Sequence, residues 1–170
     1  LVMALICAIS STTACSVSME GKHWWIVQSA PVSAKKIFDS KILVNLTVAF
    51  PFYAVSVILL AASIQMSAAG CLLLIILPVV YILFTAVLGL FVNLRLPMME
   101  WESEVRVVKQ SGSVMITMLA GIAAAGIPFA LSFIVPEPAK TLMLFLVCAG
   151  VLAAAAVLYR KNTRTRLTEI

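Results

Sequence analysis

The chain has 170 residues, of which 63% are hydrophobic and only 11% charged, and its mean hydropathy is +1.13. A soluble domain carries about 45–50% apolar and about 25% charged residues, so water is not the main solvent of this chain. The net charge of +5 does not point to nucleic acid, because the basic residues fall in short clusters between apolar runs rather than in one patch interleaved with aromatics.

Leu1-Val2-Met3 lies inside an apolar run with no basic leader and no small-residue cleavage site. That start reads as a segment of a longer protein rather than as a signal peptide. The first run, 1–18, is short of the roughly 20 residues of a full crossing, and is expected to be the end of a span. A polar interval over 19–41 follows. The second span, 42–64, is entered by Lys41 and carries Pro51, which a membrane tolerates as a kink when neighbours satisfy the freed carbonyl. An uncharged turn from Gln65 to Gly70 leads to a third span, 71–92, with Pro78 near its start. The second polar interval occupies 93–113. A fourth span, 114–135, ends at Pro136-Glu137-Pro138, where a helix cannot run on. A fifth, 141–159, is followed by a tail over 160–170 that begins Arg160-Lys161 and continues through Arg164 and Arg166. The pattern defines an all-α, polytopic helical membrane protein, one unit over 1–170, with about five transmembrane helices and a short helix between the first and second.

Lys22, Lys35, Lys36 and Lys41 fall in the first interval, Arg95, Arg106 and Lys109 in the second, and Arg160, Lys161, Arg164 and Arg166 in the tail; the alternate intervals hold only Lys140. The positive-inside rule then places both polar intervals and the C-terminus in the cytoplasm. Hydropathy and charge are independent tests, and they agree on the topology.

Within the first interval, Lys22 to Ala30 suits a short helix along the interface, with Trp24 and Trp25 at headgroup level and Pro31 as its stop. Ser33 is the expected N-cap of the helix that enters the second span, its hydroxyl taking an orphan N–H. In the second interval Pro97 suits a first helical turn, with acids early and Arg106 and Lys109 late. Met98, Trp101, Val105 and Val108 then fall near one face, which predicts an amphipathic helix lying on the membrane or against the first loop, with Glu102 and Arg106 as an i,i+4 pair. Glu100 and Glu104 read as a solvated face, and His23 as an interfacial polar side chain.

No expected span carries a charge near its middle, which disfavours ion-coupled transport. Asn45, Thr47, Ser56, Thr85, Thr117 and Ser132 are expected to join helices by hydrogen bonds, and the pairs Gly121/Ala125 and Gly150/Ala154 to let helices approach closely. Cys7, Cys15, Cys71 and Cys148 lie in apolar runs without metal-ligand spacing and read as free, hydrophobic thiols. The chain has no Walker-type loop, HExxH, nucleophile elbow or dinucleotide fingerprint. No catalytic residue, cofactor or metal ligand is therefore assigned, and the chain is not expected to be an enzyme.

Glu20-Gly21-Lys22 directly after a span, the apolar Trp25-Ile26-Val27, the turn Ala30-Pro31-Val32-Ser33 and the entry Ser40-Lys41 together resemble the cytoplasmic loop of ABC-2-type transporter permeases, in the variant of the larger permeases of Gram-positive bacteria. In that family the loop between the second and third spans carries a coupling helix that rests on the ATP-binding subunit. The resemblance implies that the run before Glu20 is the family's second span. It also implies that Glu20, Gly21, Lys22, Trp24, Trp25, Ile26, Val27, Pro31, Val32 and Ser33 form the ATPase-coupling loop. The partners it implies are an ABC ATP-binding subunit, a second permease half or homodimer partner, and the lipid bilayer, in the cytoplasmic membrane of a bacterium. The alternative is a polytopic scaffold or sensor that recruits partners without transporting.

Overall fold

The structure is a computed structural model and describes residues 1–65 and 67–164. Among the described residues seven α-helices follow one another: α1 (Val2–Ile9), α2 (Trp24–Ser29), α3 (Ala34–Ser63), α4 (Ala68–Arg95), α5 (Glu104–Gln110), α6 (Gly112–Leu131) and α7 (Glu137–Arg164), with a 3-10 segment, Ser18–His23, before α2. Four helical stretches among the described residues, containing α3, α4, α6 and α7, are long and apolar enough to cross a bilayer.

The helix α4 is the centre of the bundle: 56% of its apolar window is buried, against 17%, 22% and 17% for the other three. It packs on α1, α3, α6 and α7, while α1 also packs on α6 and α3 on α7; the neighbours leave large apolar faces exposed, as a helix apolar all round permits. One core cluster joins Ala4 and Ala8 of α1 to Leu77, Tyr81 and Phe84 of α4 and Ala125 of α6. A second joins Trp24 to Phe38 and Ile42 of α3 and to Ala86, Val87, Leu90 and Leu94 of α4. Pro128 lies inside α6 and frees the carbonyl four residues back. That carbonyl, Ala124 O, takes the Tyr81 hydroxyl at 2.8 Å, so α4 satisfies what the proline in α6 leaves open.

Gly121 explains how α1 is seated. A β-carbon there would collide with the Ala8 carbonyl, so the small residue lets α1 lie against α6. Gly150 and Ala154 are exposed, and a side chain on Gly150 would meet nothing within 4 Å; this second small-residue pair does not seat a helix among the described residues.

The helices extend beyond the expected spans at their basic ends. Thirty residues of α3 reach about 45 Å at 1.5 Å each, more than the hydrocarbon core of about 30 Å, which puts Lys35, Lys36 and Lys41 in the headgroup layer. The last helix runs on through Arg164, so the start of the expected tail is helical; 165–170 lie outside the described residues.

The first run departs most from expectation. Instead of a helix over 1–18, α1 stops at Ile9, with Ser10 in an extended conformation and turns through Val17. Four consecutive hydroxyl residues, Ser10-Ser11-Thr12-Thr13, offer the backbone partners outside the helix. Irregular backbone at membrane depth is tolerated only where protein buries it, and Thr13, Ala14, Val17 and Ser18 are each at most 1% exposed.

Candidate functional site, the clamped loop and its exposed helix

The segment from Ser10 to Gly21 is held by hydrogen bonds to three spans. Thr13 Oγ1 donates to Ala86 O (2.6 Å) and Ser11 Oγ to Thr85 O (3.0 Å), both on α4. Those carbonyls are reachable because Gly89 lacks a side chain: a β-carbon there would come within 2.6 Å of Ser11 Oγ and 2.7 Å of Thr13 Oγ1. On α3, Asn45 Oδ1 accepts from Thr12 N (2.7 Å) and Thr12 Oγ1 (3.0 Å).

Asn93, fully buried in the last turn of α4, is the strongest clasp. Its Oδ1 accepts from Val17 N (2.7 Å) and Ser18 N (3.1 Å), and its Nδ2 donates to Ser18 Oγ (2.7 Å) and Ser113 Oγ (3.0 Å). Ser113 Oγ in turn donates to Ala14 O (2.8 Å), which ties α6 into the same network. All four hydrogen-bonding sites of one amide are used, two of them to hold main-chain N–H groups that no helix satisfies. A saturated polar network in an apolar setting fixes one geometry.

At the headgroup end the Lys41 ammonium donates to Ser16 O (2.8 Å) and to Glu20 Oε1 (3.0 Å). A lysine of α3 thus meets a loop carbonyl that no helix satisfies.

The second interval closes over this loop. Trp101 Nε1 donates to Ser18 O (2.8 Å), and Met98 N donates to Ser18 Oγ (2.9 Å). These bonds draw the chain around Pro97 out of helix, so the expected helix from Pro97 is replaced by irregular backbone, and α5 begins only at Glu104. Glu102 precedes α5 and has no helical i,i+4 relation to Arg106. On α5 the buried residue is Val107, while Val105 and Val108 are exposed, so Met98 and Trp101 bond to the first loop and α5 adjoins its 3-10 segment without a continuous apolar stripe.

Gly21 is the pivot between the clamped segment and α2. Its φ of +49° and ψ of −129° suit glycine alone, and a β-carbon would come within 2.9 Å of Trp101 Nε1. The chain then turns into α2, which has two unlike sides. Trp24 is 6% exposed and packs with Phe38, Ile42 and Leu94, with Val27 partly buried against the same cluster; its Nε1 is buried without a partner among the described residues, so its role is apolar. Trp25 is 63% and Ile26 49% exposed. Lys22, Pro31, Val32 and Ser33 are exposed as well. Ser33 does occupy the N-cap position of α3 with extended backbone, but its side chain makes no capping bond.

Of the ten residues expected in the coupling loop, Glu20, Gly21, Trp24 and Val27 anchor it, while Lys22, Trp25, Ile26, Pro31, Val32 and Ser33 face outward. The residues missed from sequence are Ser11, Thr12, Thr13, Ser18, Asn93 and Ser113; Trp101 was expected near the first loop and does bond to it, though not from a helix. A run of four hydroxyl residues inside an apolar segment was the available signal. Among the polar residues expected to join helices, Asn45 instead ties α3 to the irregular segment at Thr12, and the hydroxyls of Thr47, Ser56, Thr85, Thr117 and Ser132 bond back to their own helices.

An apolar bundle around a buried central helix, with basic residues at one end and a clamped loop presenting a short amphipathic helix there, defines a polytopic helical membrane protein. The family model described as a membrane protein of 12 TMs matches residues 1–161, and the chain belongs to that family. No curated protein and no solved structure matches the chain.

Proposed function

We propose that this chain is the membrane-spanning permease part of an ATP-driven exporter of the ABC-2 type, and that α2 is the surface on which a separate ATP-binding subunit acts. The observation that supports this reading above others is the division of α2. Trp25 and Ile26 point out of the protein, where a large apolar surface serves a partner, while Trp24 on the same helix is locked into the core shared by α3 and α4.

A push on α2 has a short, stiff route into the bundle. Trp24 transmits it to Phe38, Ile42, Leu90 and Leu94; the Glu20–Lys41 pair carries it to α3; Ser18 carries it to Asn93 on α4 and through Ser113 to α6. ATP chemistry belongs to the partner, and the spans convert the push into opening and closing of a pathway with a second permease half or a second copy. Lys22, Lys35, Lys36, Lys41, Arg95 and Arg160 gather at the same end of the bundle, which supports reading that end as cytoplasmic under the positive-inside rule and the membrane as the cytoplasmic membrane of a bacterium.

The test is co-purification with the ATP-binding subunit of the same transporter. Trp25→Ala and Ile26→Asp, both on exposed positions, are expected to cut complex recovery and substrate-stimulated ATP hydrolysis by tenfold or more with an unchanged melting temperature. Wild-type assembly and hydrolysis in both variants would contradict the proposal and favour a scaffold.

A further inference from the structure

A groove of about 360 Å³ opens sideways between α3, α4 and α7, lined by Ile42, Leu46, Leu83, Val87, Leu152 and Ala156. Its lips are exposed apolar side chains, Leu43 at 62% and Leu152 at 42%. The volume falls in the usual range for small-ligand pockets, about 300–1,000 Å³. It is not a uniform apolar trough. At the end nearest the basic face, Tyr159 of α7 donates its hydroxyl to Asp39 Oδ1 of α3 at 2.8 Å, closing the floor.

Helical spacing continues both walls past that floor. Lys35 lies four residues before Asp39 and eight before Leu43, on the stripe of α3 that lines the groove, with Lys36 beside it; Arg160 lies four residues after Ala156 on α7. All three are exposed. The walls therefore run from hydrocarbon, through a hydrogen-bonding floor, to three cations facing one acid. That order matches a phospholipid lying along the bilayer normal, with chain, polar backbone and phosphate in sequence.

We infer that this groove is a binding site for an anionic phospholipid of the bilayer leaflet at the basic face. One acyl chain fills the trough over Leu46, Leu83 and Leu152, and the phosphate sits between Lys35 and Arg160. Cationic clusters at the edge of a membrane helix attract anionic headgroups, and the flanking trough would hold the lipid in place rather than leaving it to exchange as bulk solvent. The inference is independent of any coupling to an ATPase.

The test uses the intact protein in vesicles of phosphatidylcholine with a minor share of phosphatidylglycerol bearing a photoreactive diazirine near the middle of one acyl chain. Expected are cross-links on the α3 and α7 peptides that contain Leu43, Leu46, Leu152 and Ala156, reduced at least fivefold for the same probe on a choline headgroup. Lys35→Glu with Arg160→Glu, both on exposed positions, is expected to remove the headgroup preference, and Ala156→Trp to block the trough and lower cross-linking tenfold. Equal labelling by the two headgroups, or labelling unchanged in the double charge reversal, would overturn the site. So would disulfide formation between copies carrying Leu43→Cys and Leu152→Cys, because it would show a second copy seated in the groove.

Discussion

Replacing Asn93 by Ala is the most telling perturbation of the clamped loop. The substitution deletes four hydrogen bonds, to Val17 N, Ser18 N, Ser18 Oγ and Ser113 Oγ. The two serine hydroxyls keep other partners, Met98 N and Ala14 O, but the two main-chain N–H groups are left buried and unpaired. An orphaned buried donor costs about 1–3 kcal/mol, and hydrogen bonds within membrane bundles average about 0.6 kcal/mol each because the opened state finds other partners. Four bonds at the lower figure give about 2.4 kcal/mol and two orphans at the higher give about 2–6 kcal/mol, which bracket the loss at roughly 2–6 kcal/mol. The reporter is Val17→Cys in a cysteine-free background. Val17 is fully buried, so its thiol reacts with a maleimide only when the segment opens. A loss of 2 kcal/mol multiplies the open population by about 30, and labelling should accelerate by that factor when reclosing is fast. An acceleration of less than threefold would refute the assignment of Asn93 as the clasp.

The glycines separate packed from unpacked surfaces. Gly89→Ala forces a β-carbon against Ser11 and Thr13 and should destabilise by about 1–3 kcal/mol. In contrast, Gly150→Ala, with nothing within 4 Å, should leave the melting temperature unchanged or raise it slightly, since alanine favours helix by roughly 0.5–1 kcal/mol. Gly21→Ala should destabilise by about 1–3 kcal/mol through its φ of +49°, and Trp101→Ala should not restore full stability, because removing the indole relieves the 2.9 Å contact but not the backbone. Trp24→Ala, which empties a buried site, should cost about 3–5 kcal/mol in thermal unfolding, whereas Trp25→Ala should change stability by less than about 0.5 kcal/mol. A double-mutant cycle of Glu20→Gln and Lys41→Met should give a coupling of about 0.5–1 kcal/mol, modest because the Glu20 side chain is 38% exposed.

The spans were legible because their signal is composition summed over twenty residues, and no tertiary contact outweighs that in lipid. Pro31 was legible for the related reason that a missing N–H acts locally; Pro136-Glu137-Pro138 was not the stop expected of it, because α6 already ends at Leu131 and Glu137-Pro138 open α7. The clamped segment was not: Ser10 to Thr13 sit in an apolar run, and whether such hydroxyls bond back to their own helix, as Thr47 and Ser56 do, or leave it depends on which carbonyls a neighbour presents. Here the decisive neighbour is Gly89, some 75 residues away in sequence. Asn93 was read as the start of a loop because it follows the last apolar residue of a span; its burial comes from Ser18 and Ser113, which only the fold brings beside it. The two sides of α2 show the same limit, since Trp24 and Trp25 are equivalent in sequence and opposite in the structure.

The decisive measurement for the proposed coupling surface is sidedness of the loop. A single cysteine placed at exposed Lys22, just before α2, should react with a membrane-impermeant maleimide in inside-out vesicles and stay unlabelled in intact cells, and a bound ATP-binding subunit should protect it. Labelling from the outside of intact cells would place α2 beyond the reach of any ATPase and contradict the proposal directly.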